Sequence, residues 1–161
     1  MARSAAILLV YGTGGHQEQA KRLLERWPED YPARFVHMTP SRHTNSTQSA
    51  RYRLPKLRGD YRRAFDAVYA CISATVALIQ LMRVLSRFRL VLMISTGSGV
   101  AIIPALAMRI LQRPVIYFES WSRITLPSIS GNVMYRVSSL FFVQHRELLC
   151  KFPRAYYRGR L

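Results

Sequence analysis

Acidic side chains are scarce in this sequence, 8 against 24 basic ones, and of those 24 only 3 are lysine. The shortage leaves 161 residues with a formal charge of +16, carried by 21 arginines. Planar guanidinium groups match phosphate and carboxylate, so the imbalance points to an anionic partner: nucleic acid, an anionic membrane surface, or a phosphorylated or nucleotide-linked substrate. Cysteine is nearly absent. Cys71 and Cys150 sit in apolar stretches, and His16, His37, His43 and His145 show no metal-ligand spacing with them or with one another. Reduced thiols are expected, with no structural metal and no cofactor. A membrane-length apolar run is missing as well, since spanning a bilayer takes about 20 residues. The run Ala5–Val10 is cut off by glycine and lacks a small-residue cleavage site. It reads as a buried strand rather than a signal peptide, which keeps the chain on the cytoplasmic side.

What is present is alternation. Apolar runs of strand length at 5–10, 34–38, 90–95, 115–119 and 140–144 are separated by helical patterns, among them 17–26, stopped by Pro28, and 98–111. No repeat or low-complexity tract interrupts them. This is the signature of an α/β fold, a Rossmann-like parallel sheet with helices on both faces, and the length suits one domain over 1–161. Residues 39–60, "TPSRHTNSTQSARYRLPKLRGD", are polar, basic and broken by Pro40, Pro55 and Gly59. They read as a long loop kept for function. Residues 67–82 are apolar or small on every face. Two readings are open there: a buried core helix, or a helix in the membrane interface with Arg62, Arg63, Arg83, Arg87 and Arg89 at its ends.

Two glycine turns follow strands. The first, Gly12-Thr13-Gly14-Gly15-His16, is no Walker loop, because no Gly-Lys-Ser/Thr follows. It also fails the dinucleotide fingerprint, because Gln17 stands where a third glycine belongs and no acidic residue ends the second strand. A glycine turn at a helix N-terminus remains, where N–H groups and the helix dipole favour a diphosphate or a bound sugar. His16 at its mouth is a cap or a catalyst. The second turn, Thr96-Gly97-Ser98-Gly99, leads into a helix with Pro104 in its first turns. Both turns lie at carboxyl ends of parallel strands, where open α/β sheets bind ligands. The next strand ends in "VIYFESWSRI", which puts Glu119, Ser120 and Arg123 at the same rim. Glu119 is either functional or the partner of Arg123 in an ion pair.

Gly14-Gly15-His16, the run Ser95 to Gly99 before a proline-containing helix, and the stretch from Val115 to Arg123 followed by "GNVMYRVSSLFFVQ" resemble the membrane-associated subunit of split UDP-sugar transferases. That family includes the anchoring subunit, asparagine-linked glycosylation protein fourteen, of the eukaryotic enzyme that adds the second GlcNAc to dolichyl-diphosphate-GlcNAc. It also includes bacterial PssD-type exopolysaccharide subunits. The resemblance covers nearly the whole chain and is weakest over 40–90. It implies the N-terminal Rossmann-like half of a GT-B glycosyltransferase, with the UDP-sugar held by a second chain and a polyprenyl-diphosphate-linked acceptor held here. The single-chain relative that adds GlcNAc to lipid I has a similar glycine-histidine turn and a glutamate after a comparable strand, corresponding to His16 and Glu119. No transmembrane helix precedes the first strand, so the arginines and 67–82 are expected to attach the chain peripherally to the cytoplasmic face of the membrane.

The implied chemistry is inversion at the anomeric carbon of a UDP-sugar, GlcNAc or glucuronic acid, by an acceptor hydroxyl. His16 and Glu119 are the candidate catalytic pair, one the base and the other orienting the sugar. Gly12, Thr13, Gly14, Gly15, Thr96, Gly97, Ser98, Gly99, Ser120 and Arg123 are the expected acceptor or phosphate site. Arg51, Arg53, Arg58, Arg62 and Arg63 are expected at the lipid diphosphate, and Arg83 and Arg87 at lipid phosphates. A non-catalytic membrane scaffold that recruits the partner is the alternative. A nucleic-acid module is disfavoured, because no RNA-binding motif, helix-turn-helix or zinc pattern accompanies the charge.

Overall fold

The structure is a computed structural model that describes residues 3–41, 50–55 and 63–161, with backbone only for 63–69. Its elements run β1 (Ala5–Val10), α1 (Gly15–Glu25), β2 (Phe35–Thr39), β3 (Ala50–Arg53), α2 (Arg63–Arg87), β4 (Arg89–Ser95), α3 (Ile102–Ile110), β5 (Val115–Phe118), α4 (Ile129–Val137), β6 (Leu140–Val143) and β7 (Tyr156–Tyr157). A 3-10 turn, Gly99–Ala101, leads into α3 and another, Arg146–Cys150, follows β6. The strands form one parallel sheet in the order β3-β2-β1-β4-β5-β6-β7. This is the expected Rossmann-like α/β architecture. Chain direction through the sheet reverses between β1 and β4, the switch point where such sheets open a crevice.

Side chains alternate across each strand, so every strand serves both faces. On one face, Leu8, Val10, Met38, Tyr52, Met93 and Tyr117 pack with Leu81 and Val84 of α2, Met108 of α3 and Met134 of α4. On the other, Ile7, Leu9, Tyr11 and Ile94 pack with Ala20 of α1, and Leu23, Leu24 and Trp27 lie at the edge of that cluster. β1 is central and covered on both sides, which explains why its sequence is a continuous apolar run.

The region 39–60 is not loop throughout: β3 lies in it, Met38 opposite Tyr52 and Thr39 opposite Arg53, while 42–49 and 56–60 lie outside the described residues. Arginines on both sides of Tyr52 disguise an edge strand with only one buried side. Helix α4 was not anticipated. Helix α2 runs 25 residues, well past 67–82 at its C-terminal end. It is also not a fully buried core helix, for only 22% of Ala70–Arg87 is covered, and Ile72, Leu78, Ile79 and Met82 lie along an exposed side. That stretch is long and apolar enough to cross a membrane by length and composition. Cys71 and Cys150 are free thiols, and both are exposed rather than set in apolar surroundings.

Candidate functional site: three helix N-termini around one cleft

Because β1 and β4 are hydrogen-bonded neighbours, the turns after them lie side by side. The helix α4 begins beside them, after β5. A cleft of about 560 Å³ opens at this carboxyl edge. Its walls include Gly12, Thr13 and His16 from the first turn, Ser98 and Gly99 from the second, and Ser120, Arg123, Ser128 and Ser130 from the segment after β5. Neither the N-terminus of α1 nor the turn leading into α3 has a side-chain cap, and the one acidic residue in the first turn of α1 is Glu18, which pairs with Arg22. Arg123 is exposed and lines the same space. The arrangement suits an anionic ligand.

His16 Nδ1 lies 2.9 Å from the carbonyl oxygen of Thr96. A carbonyl only accepts, so Nδ1 carries the proton and Nε2 of the neutral ring keeps a lone pair. His16 is half-buried and forms part of the cleft wall. The glycines around it are bare for two different reasons. A Cβ on Gly97, whose φ is +94°, would come within 2.5 Å of His16 Nδ1, and one on Gly12 within 2.8 Å of Ser98. One on Gly15 would stand 3.0 Å from Trp121 Nε1. These three accommodate neighbours within the protein. Gly14, with φ +64°, has nothing within 4 Å of its Cβ position, so it is glycine for its backbone alone. Ser98 holds φ 77° without being glycine, a strained conformation of the kind that gathers at functional sites.

Glu119 is not at the rim. It is fully buried, its Oε1 accepting from the Ser120 N–H at 2.9 Å and from the Ser128 hydroxyl at 2.9 Å. Ser128 caps α4 by accepting from the Gly131 N–H at 2.8 Å. No ion pair joins Glu119 to Arg123 among the described residues, whose ion pairs are Lys21–Glu25 and Arg22–Glu18. Glu119 therefore ties the end of β5 to the start of α4 and sets out a wall of hydroxyls in which Ser120 bonds Ser122 and Ser128 bonds Ser130. Burial, and then the neighbouring Glu119, push the Tyr117 hydroxyl up. Ser122, Ser128, Ser130, Pro40 and Ile129 were missed as site residues. The serine before the apolar positions of α4 is an N-cap signal that would have found the helix.

Arg51 and Arg53 are exposed and flank the buried Tyr52, which faces α2, so by alternation they lie on the opposite face of the sheet from α2. There Arg51 adjoins the Tyr11–His37 pair, in which Tyr11 Oη and His37 Nδ1 are 3.0 Å apart. Burial, and secondarily Arg51, lowers the His37 pKa to about 4. Burial raises Tyr11 to about 12, with Arg51 opposing. Helix α2 runs antiparallel to the strands, so Arg63 starts it at the cleft edge, while Arg83 and Arg87 end it at the other edge. Arg58 and Arg62 lie outside the described residues.

The family model for oligosaccharide biosynthesis protein Alg14 like matches residues 7–161. The chain belongs to this family. Among curated members, the UDP-N-acetylglucosamine transferase subunit ALG14 of Rattus norvegicus is 23% identical, covering 99% of this chain and 84% of the rat protein. The human subunit is 24% identical over 98% of this chain and 83% of its own length. Of solved structures, MurG of Acinetobacter baumannii superposes with a TM-score of 0.58 at 13% identity, over 98% of this chain and 44% of that one. A UDP-N-acetylglucosamine 2-epimerase of Listeria monocytogenes, described as putative, gives 0.68 at 12%, over 95% and 42%. The chain thus spans less than half the length of these two structures and has the fold of the N-terminal Rossmann-like half of a GT-B enzyme.

Proposed function

We propose that this Alg14-like chain is the acceptor-binding, membrane-associating subunit of a two-chain inverting glycosyltransferase, forming a single domain over 1–161. Its partner holds the UDP-sugar, and the acceptor is a polyprenyl-diphosphate-linked saccharide. The observation that carries this reading is His16, a lining residue of a cleft at the start of three helices, whose Nδ1 is bonded to the Thr96 carbonyl so that Nε2 is the ring nitrogen left to take a proton. In the reaction, the acceptor hydroxyl attacks the anomeric carbon of the UDP-sugar and its proton passes to His16 Nε2. The bond from that carbon to UDP breaks, and the electron pair leaves with the diphosphate. Backbone donors at 12–15 and 97–99, with Arg123, hold the acceptor's phosphates, and Ser120, Ser122 and Ser130 contact its sugar. Glu119 is a positioning residue that acts through Ser128 and α4.

Peripheral attachment to the cytoplasmic face of a membrane fits the exposed residues Ile72, Leu78, Ile79 and Met82 of α2. Ile124, Leu126 and Ile129 are likewise exposed beside the cleft. Arginines along the chain would add roughly 1 kcal/mol each near an anionic surface. Family membership favours UDP-GlcNAc as donor, as in the subunits named above. The test is co-expression with a separate chain that has the fold of a GT-B donor half, followed by assay with UDP-GlcNAc and UDP-glucuronic acid on a polyprenyl-diphosphate-linked acceptor. Transfer by the pair and none by either chain alone is expected. Full turnover by the partner alone would reduce this chain to a scaffold.

A further inference from the structure

Beside the polar cleft is a second cavity of different chemistry. It holds about 210 Å³ between α2 and α3, with Leu54 and Pro55 closing one side. Ala70, Ser73, Ala74 and Ala77 of α2 form its long wall, a spacing that puts them on one helix face. Gly99, Val100 and Ile102 line both this slot and the cleft, so the two spaces adjoin at the start of α3. The small residues of α2 leave a half-open groove whose exposed lining is almost wholly apolar. Water in it finds few of the two to four polar partners that would hold it, so an apolar group displaces it readily. A sugar is a poor occupant, since its hydroxyls would be buried unpaired. Among the described residues, Ser73 supplies the one hydrogen-bonding side chain in the lining, and its buried hydroxyl has no partner there.

We propose that this slot takes the hydrocarbon segment next to the phosphate of an amphiphilic anion whose head occupies the cleft. The inference rests on the reading of the cleft as an acceptor site and adds a subsite to it. One ligand then crosses from three helix N-termini into an apolar slot, turning at Gly99, and its ester oxygen is an acceptor within the chemistry of Ser73. The exposed residues of α2 would face the lipid phase from which such a chain is drawn.

Direct binding to the full chain tests this, with inorganic diphosphate, farnesyl diphosphate and farnesol as probes in calorimetry. Farnesyl diphosphate should bind at least about tenfold more tightly than inorganic diphosphate, the factor that burial of about two methylene groups carries. Ala74→Leu, which fills the slot, should remove that advantage and leave inorganic diphosphate binding unchanged. Ala70→Leu provides a second filled variant, and thermal melting checks that both fold. Equal affinity for the two diphosphates overturns the slot while keeping the cleft. A tail advantage that survives in both folded variants also overturns it, placing the hydrocarbon elsewhere on α2. Farnesol binding lost in Ala74→Leu, with no binding of inorganic diphosphate, retains the slot and overturns the cleft reading instead.

Discussion

His16 and Thr96 are held to each other twice across 80 residues of sequence: His16 Nδ1–H donates to the Thr96 carbonyl at 2.9 Å, and the Thr96 hydroxyl donates to the His16 carbonyl at 2.7 Å. The first bond fixes the tautomer, and the second fixes the backbone that carries the ring. Their separation of effects can be measured. His16→Ala should lower turnover of the reconstituted pair by about 10² to 10⁴, the usual contribution of a general base. Thr96→Val loses only the hydroxyl, so it should cost about 1 kcal/mol in a melting experiment and lower turnover by less than about tenfold. A Thr96→Val loss as deep as that of His16→Ala would show that the hydroxyl does more than hold the turn.

Gly97→Ala should behave like loss of the base. Its Cβ would come within 2.5 Å of His16 Nδ1 at a φ of +94°, so the ring must leave its seat. A turnover loss approaching that of His16→Ala is expected, with donor affinity unchanged if, as proposed, the donor lies on the partner. Imidazole ¹⁵N shifts give a check independent of activity: the Nδ1–H tautomer that the Thr96 carbonyl selects in wild type should no longer dominate in Gly97→Ala.

Gly131 offers the reverse of a helix-propensity rule. Replacing a glycine inside a helix by alanine ordinarily stabilises by about 1 kcal/mol. Here the added Cβ collides with Glu119 Oε2, so Gly131→Ala should instead destabilise by about 1–3 kcal/mol, as overpacking does. Denaturant melts decide the sign.

The buried His37 predicts a pH dependence. Its folded pKa of about 4 lies below the unfolded value of 6.5 because burial, and then Arg51, disfavours its charged form. The unfolded chain therefore binds the proton first. The contribution is complete above pH 6.5, falls as pH drops towards about 4, and is on the order of 3 kcal/mol. His37→Gln should flatten the stability profile across that window, which a pH series of denaturant melts would show.

Membrane attachment should depend on the open side of α2. Ile79→Glu with Met82→Glu places two charges among residues that are already exposed, so melting temperature should hold while flotation with anionic vesicles falls sharply. High salt alone should weaken wild-type flotation only in part, because it screens the arginines and not the apolar residues.

The sequence by itself determined the α/β class, the two glycine turns and the family, because those rest on local signals. An apolar run covered on both faces, as in β1, and glycines between a strand and a helix are legible residue by residue. So was His16 at the first turn. What the chain could not disclose was set by neighbours distant in sequence. Thr96 fixes the tautomer of His16, and Trp121 and Ser98, rather than a ligand, crowd Gly15 and Gly12. Glu119 follows an apolar strand and reads as a rim carboxylate, yet α4 folds over it and turns it into the anchor of a helix whose N-cap serine is nine residues away. β3 is too short and too basic to stand out, and only pairing with β2 makes it a strand. In α2 the sequence supplied apolar residues on every side, and only packing against α3 and the sheet decided which side is core, which is slot and which is left open. Apolar character is a property of the residue, whereas burial depends on which other elements the fold brings against it.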